Sequence, residues 1–165
     1  MSFGRLTLVL LAASALSCRS EASGDPMTIT DVIANIDRLN GRTVRVAGYL
    51  MECGGYECRL YRSQAEKEQG ERYFRELVEQ ANAGRELNPT VAEPPFLGIG
   101  VGENWRFDAM AEPFANSYVV ITGRVTNQCR DNGEPSCLHR TTDLEPVGIT
   151  RWTPSGAEAG NAAWQ

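Results

Sequence analysis

The chain is poor in the residues on which most catalytic chemistry rests. It has one histidine, His139, in a polar stretch, and one lysine, Lys67, against fifteen arginines. A lone histidine in such a stretch reads as a solvated side chain, and it cannot form the paired-histidine H-E-x-x-H metal site. Neither a G-x-S-x-G elbow nor a phosphate-binding P-loop occurs. Gly98-x-Gly100-x-Gly102 lacks the long helix that must open directly after a dinucleotide loop, and its third glycine is misplaced for one. C-x-x-C spacing is absent too, which argues against a thioredoxin-type redox pair. No catalytic residue, metal or cofactor is therefore expected. Positive charge is short as well. The formal net charge is −5, and so acidic a chain makes nucleic acid an unfavourable partner, because neutralising phosphates needs cations. The excess of arginine over lysine reads as GC-rich coding rather than function. Last, no apolar run approaches the ~20 residues that span a bilayer.

What is present begins with an apolar run over residues 6–16 behind a short basic start at Arg5. Its length and flanks match a cleavable export signal over residues 1–17. Ala15-Leu16-Ser17-Cys18 resembles the lipobox of bacterial lipoproteins, with its leucine two rather than three residues before the cysteine. Ala15 and Ser17 also satisfy the small-x-small rule of ordinary signal peptidase, which would leave a soluble periplasmic protein. Lipidation is the preferred reading, because the cysteine of this region falls where acyl chains attach. The lipobox resemblance implies a membrane partnership through a lipid anchor on Cys18, in the cell envelope and facing the periplasm. It points to the outer rather than the inner membrane, since Arg19 is not the retaining aspartate. Residues 18–27 are small and polar and read as a flexible tether. About 148 residues follow the signal, enough for one ordinary domain.

Four cysteines remain: Cys53, Cys58, Cys129 and Cys137. An even number in two local pairs reads as two disulfides formed in an oxidising compartment, Cys53 with Cys58 and Cys129 with Cys137. The rival is a four-thiolate zinc site, for which C-x4-C and C-x7-C are loose spacings.

Periodicity supplies the elements. Thr30-Asp31 can cap a short helix with apolar positions Val32, Ile33, Ile36 and Leu39. Residues 43–50 alternate strictly as a half-buried strand, Gly54-Gly55 signals a hairpin, and residues 57–62 return as a second strand. Ser63-Gln-Ala-Glu66 is a capping box, opening a helix whose apolar stripe is Tyr73, Phe74, Leu77, Val78 and Ala81. Residues 85–95 form a proline-rich loop and residues 96–101 a third strand. Phe107, Met110, Ala111 and Phe114 mark a short helix cut off by Pro113. Residues 118–125 repeat the first strand's pattern, so that Val44-x-Val46-x-Gly48-x-Leu50 aligns with Val119-x-Ile121-x-Gly123-x-Val125. The loop 127–142 holds the second cysteine pair. Residues 144–152 are a last strand in which Pro146 marks an edge or a bulge, and residues 153–165 read as a disordered tail.

With "GRTVRVAGYL", "YVVITGRVTN" and the short helix before the latter, residues 28–152 resemble an OB-fold domain, and more narrowly the small OB-fold lipoproteins of bacterial envelopes. The resemblance implies an all-β fold with helical insertions. Its core is a five-stranded Greek-key barrel, with a helix before strand 1, one inserted after strand 2 and a short one before strand 4. It also implies binding across strands two and three, flanked by the two cysteine-bearing loops. The outward positions Arg45, Tyr49, Arg59, Tyr61 and Arg124, with Tyr56 at a loop tip, then become ligand-binding candidates. Such a surface suits an acidic polymer or another envelope protein. Against this stands an ordinary solvated exterior, and an accessory factor or hydrolase with unrecognised catalytic residues is the alternative function.

Overall fold

A computed structural model describes residues 25–55, 57–100, 105–131, 134–137 and 142–154. The expected export signal, Cys18, Tyr56, Gly102, His139 and the residues from 155 onward lie outside the described residues. The described residues build seven strands: β1 (Thr43–Leu50), β2 (Arg59–Tyr61), β3 (Phe96–Gly98), β4 (Ser117–Val125), β5 (Arg130–Asp131), β6 (Glu134–Pro135) and β7 (Leu144–Arg151). Five of them form an antiparallel sheet in the order β3-β2-β1-β4-β7, while β5 and β6 make a small hairpin within the loop 127–142. Among the described residues four helices accompany the sheet: α1 (Ile29–Ala34), α2 (Ile36–Leu39), α3 (Gln64–Asn82) and α4 (Trp105–Ala111), the last running into a 3₁₀ turn at Glu112–Phe114.

The two repeated patterns pair with each other. In the β1–β4 register Val44 faces Gly123, Val46 faces Ile121 and Gly48 faces Val119. Each strand's glycine therefore meets a valine of the other. Val46, Ile121, Val119 and Leu50 are fully buried, as are Leu60, Leu97, Ile99 and Leu144. Burying each such side chain stabilises the fold by about 1.5–3 kcal/mol. The glycines are needed for close approach. A Cβ on Gly48 would lie 2.7 Å from Tyr61 O, and one on Gly123 would lie 2.6 Å from Glu145 O. Their absence lets the backbones of β2 and β7 crowd against the central pair. On β7 the register slips between Thr122 and Gly123, whose partners are Gly148 and Pro146, leaving Val147 exposed as the extra residue of a bulge. Pro146 thus sits on an end strand beside a bulge, where its missing N–H costs nothing.

The end strands β3 and β7 also meet. Ile99 and Leu144 form a parallel bridge. Gly100 N donates to Leu144 O and Asp143 N to Gly98 O, both at 2.9 Å. Helices α1, α2 and α4 add Ile29, Val32, Ile36, Leu39, Phe107 and Ala111 to the core.

Several boundaries differ from those read in the sequence. Helix α1 starts earlier, because Ile29 must enter the core. Its cap is Thr28, whose Oγ1 accepts the Asp31 N–H at 3.1 Å. A break at Asn35, with φ −124°, separates α1 from α2. Met27, assigned to the tether, instead lies along β1, donating to Arg45 O at 2.8 Å and accepting from Ala47 N at 3.0 Å. Strands two and three are shorter than expected. At α3, Glu66 N–H donates to Ser63 Oγ at 3.3 Å, but the Glu66 carboxylate reaches back to the Arg62 N–H rather than to that of Ser63. Gly84, with φ +62°, follows the helix end as expected. The stripe on α3 packs only in part, for Tyr73, Phe74 and Leu77 are part-buried and Val78 is exposed. The buried residue is Gly70, whose Cβ would lie 2.8 Å from the Tyr61 hydroxyl.

Candidate functional site

The expected Arg/Tyr face is open only in part. Helix α3 and the loop before β3 cover its β2 side. Tyr61 is buried beneath Gly70. The Arg59 guanidinium lies 4.1 Å from the Phe74 ring centroid of α3 and 4.3 Å from that of Phe96, and pairs with Glu93 at 3.2 Å. Tyr49 is buried too. Its hydroxyl donates to Asn116 O at 2.8 Å, and its ring meets Tyr118 edge-on at 5.1 Å. Burial raises both phenol pKa values, and at Tyr61 Arg59 only partly offsets it. Arg124 is exposed and pairs across the sheet with Glu145 at 2.6 Å, while Arg45 is half-buried on β1. The physical reason for the change is that two aromatic rings on β2 and β3, Tyr61 and Phe96, bury more apolar area under a helix than solvent would permit.

What remains open lies beside that cover. A cleft of about 670 Å³ is lined by Pro26, Ile29, Ala47, Arg62, Glu66, Gln69, Glu93, Pro94, Pro95 and Trp152, with Thr28, Thr30, Ser63, Ala65 and Ala92. Ala47 of β1 and the start of α1 contribute one side, the first turns of α3 and residues 92–95 the other. Gln69 fixes the latter by donating to Ala92 O at 2.8 Å. Trp152, half-buried at the end of β7, is held by Trp152 N donating to Tyr118 O at 3.0 Å and by its ring against Tyr118 at 6.0 Å. The Glu66 carboxylate is bonded to Arg62 and that of Glu93 to Arg59. Burial holds the Glu93 carboxyl above its usual range, against the lowering effect of Arg59. Of the expected ligand residues that are described, none lines this cleft, and the sequence carries no periodic signal for it because its walls come from five separate segments.

A second feature escaped sequence reading. Asp143 is fully buried and accepts from Arg130 Nε at 2.7 Å, Arg130 Nη2 at 2.6 Å and Gly98 N at 2.7 Å. Arg130 Nη2 also donates to Phe96 O at 2.6 Å. This bidentate pair fastens the second cysteine loop to β3 at the place where β3 and β7 meet. Two charged residues thirteen positions apart in a polar stretch give no local pattern that would reveal it.

Disulfides join Cys53 to Cys58, with Cα atoms 4.3 Å apart, and Cys129 to Cys137, 4.9 Å apart. These are the two local pairs read from the sequence, and sulfurs so bonded do not serve as four zinc thiolates. Among the described residues, the group of possible metal-ligating atoms is Cys53, Cys58 and Asp108, within 4.8 Å of one another, but its two sulfurs are bonded to each other. Among the described residues no helix is long and apolar enough to cross a membrane. No protein-family model, curated protein or solved structure matches the chain.

Proposed function

We propose that the chain is a binding module, held to a bacterial envelope membrane by lipid on Cys18 and built on an OB-type barrel. The barrel reading is supported by the strand order and by the parallel Ile99–Leu144 bridge between the two ends of that order. The observation that carries the binding reading is the cleft between β1 and α3, with Trp152 and a pair of prolines on its walls and planar polar groups around them. Its two carboxylates are each tied to an arginine, an arrangement suited to orienting a ligand rather than to general acid–base chemistry. Pro26 lines the cleft, and the segment back to Cys18 can reach at most roughly 30 Å. An anchored protein would therefore present this cleft close to the membrane, to another envelope protein or an acidic polymer.

The test has two arms. Cys18→Ser should move the protein from the membrane to the soluble fraction, since two acyl chains anchor stably; unchanged fractionation rejects the anchor. Ala47→Trp should fill the cleft. Tagged wild-type protein is expected to retain an envelope component that this variant does not, and equal retention by both rejects the cleft as the site.

A further inference from the structure

We propose that Cys53–Cys58 is an exchange-active disulfide that oxidises a dithiol, with Asp108 relaying the proton. The two sulfurs are unequal. Cys58 is 1 % exposed and packs in the core, whereas Cys53 is only part-buried and lines an open cleft of about 360 Å³ beside Glu52, Glu57, Lys67 and Glu71. An incoming thiolate thus reaches Cys53, and Cys58 is the leaving sulfur. A thiolate released among apolar side chains is poorly solvated and needs a proton at once. The first turn of α4 brings an Asp108 carboxylate oxygen within 4.8 Å of both sulfurs. Among the described residues, Cys129–Cys137 has no such carboxylate.

One substrate thiol loses its proton to solvent, its thiolate attacks Cys53 Sγ, and the Cys53–Cys58 bond breaks with the electron pair leaving on Cys58. The substrate's second thiol then passes its proton through the Asp108 carboxylate to Cys58 and attacks its own sulfur in the mixed disulfide. Cys53 leaves as a thiolate and takes a proton from solvent. The protein gains two electrons and two protons, and the dithiol becomes a disulfide. Three glutamates against one lysine around the cleft favour a cationic or neutral thiol, such as a cysteine pair in a basic peptide segment.

The full, oxidised chain is treated with dithiothreitol, quenched by alkylation at intervals and mapped for each disulfide. Access alone predicts that Cys129–Cys137 opens first, because Cys137 is exposed. The proposal requires the opposite, with Cys53–Cys58 opening about tenfold faster in the wild type and Asp108→Asn losing most of that advantage. With single thiols at low salt, cysteamine should outpace 3-mercaptopropionate at Cys53–Cys58, and the ratio should fall as salt is added. Opening of Cys129–Cys137 as fast or faster in the wild type overturns the idea, and so does a wild-type rate in Asp108→Asn. Should Asp108→Asn fail to fold, the order of opening in the wild type decides.

Discussion

Replacing Asp143 by alanine tests the joint on which the sheet's two ends depend. The wild-type carboxylate is wholly buried and satisfies three donors, two from Arg130 and one from the Gly98 amide. Its removal takes the bidentate acceptor away from a guanidinium whose side chain is 5 % exposed, and deprives a buried N–H of its acceptor. Breaking one partner of a buried ion pair costs about 3–5 kcal/mol, and a stranded buried amide about 1–3 kcal/mol. These overlap, so a loss of about 4 kcal/mol is expected, a large part of the ~5–15 kcal/mol that holds a typical domain. Equilibrium urea unfolding with both disulfides intact reads this directly. With a slope of about 2 kcal/mol/M, the midpoint should fall by about 2 M. The double variant Arg130→Met, Asp143→Leu removes both charges and should recover most of the loss, because the desolvation penalty disappears with the pair. A single variant within about 1 kcal/mol of wild type, or a double variant no more stable than the single, would refute the reasoning.

Val46→Asp places a carboxylate directly opposite Ile121 in a fully buried pair and should prevent folding; loss of the near-ultraviolet circular dichroism signal checks it, against a wild-type-like melt. Glu93 gives a pH test. Its carboxyl is held above the ordinary value of 4.5 by burial, so through that region the folded state binds more protons than the unfolded one and stability falls as pH rises. Glu93→Gln should therefore flatten this fall, so that the variant gains on the wild type between mildly acidic and neutral pH in urea midpoints; a difference independent of pH would contradict the assignment.

Much of the architecture is written locally. Strict alternation in residues 43–50 and 118–125 specifies two strands with one buried face each, and the matching glycines specify where neighbouring backbones crowd in. Pro146 announces its bulge, and the serine cap and Gly84 bracket α3, because capping and turn preferences act over a few residues. What only the tertiary structure decided is whether the outward side of a strand meets solvent. Arg59, Tyr49 and Tyr61 occupy outward positions, yet Tyr49 and Tyr61 are buried and Arg59 is largely covered. The cover over Tyr61 depends on a glycine at position 70 rather than on the helix's apolar stripe, and a missing side chain carries no periodic signal. The Arg130–Asp143 pair, the cleft beside Trp152 and the carboxylate near Cys53–Cys58 are likewise assembled from distant segments. Their positions depend on strand order and long-range packing, whereas spacing within one segment records only that segment's own preferences.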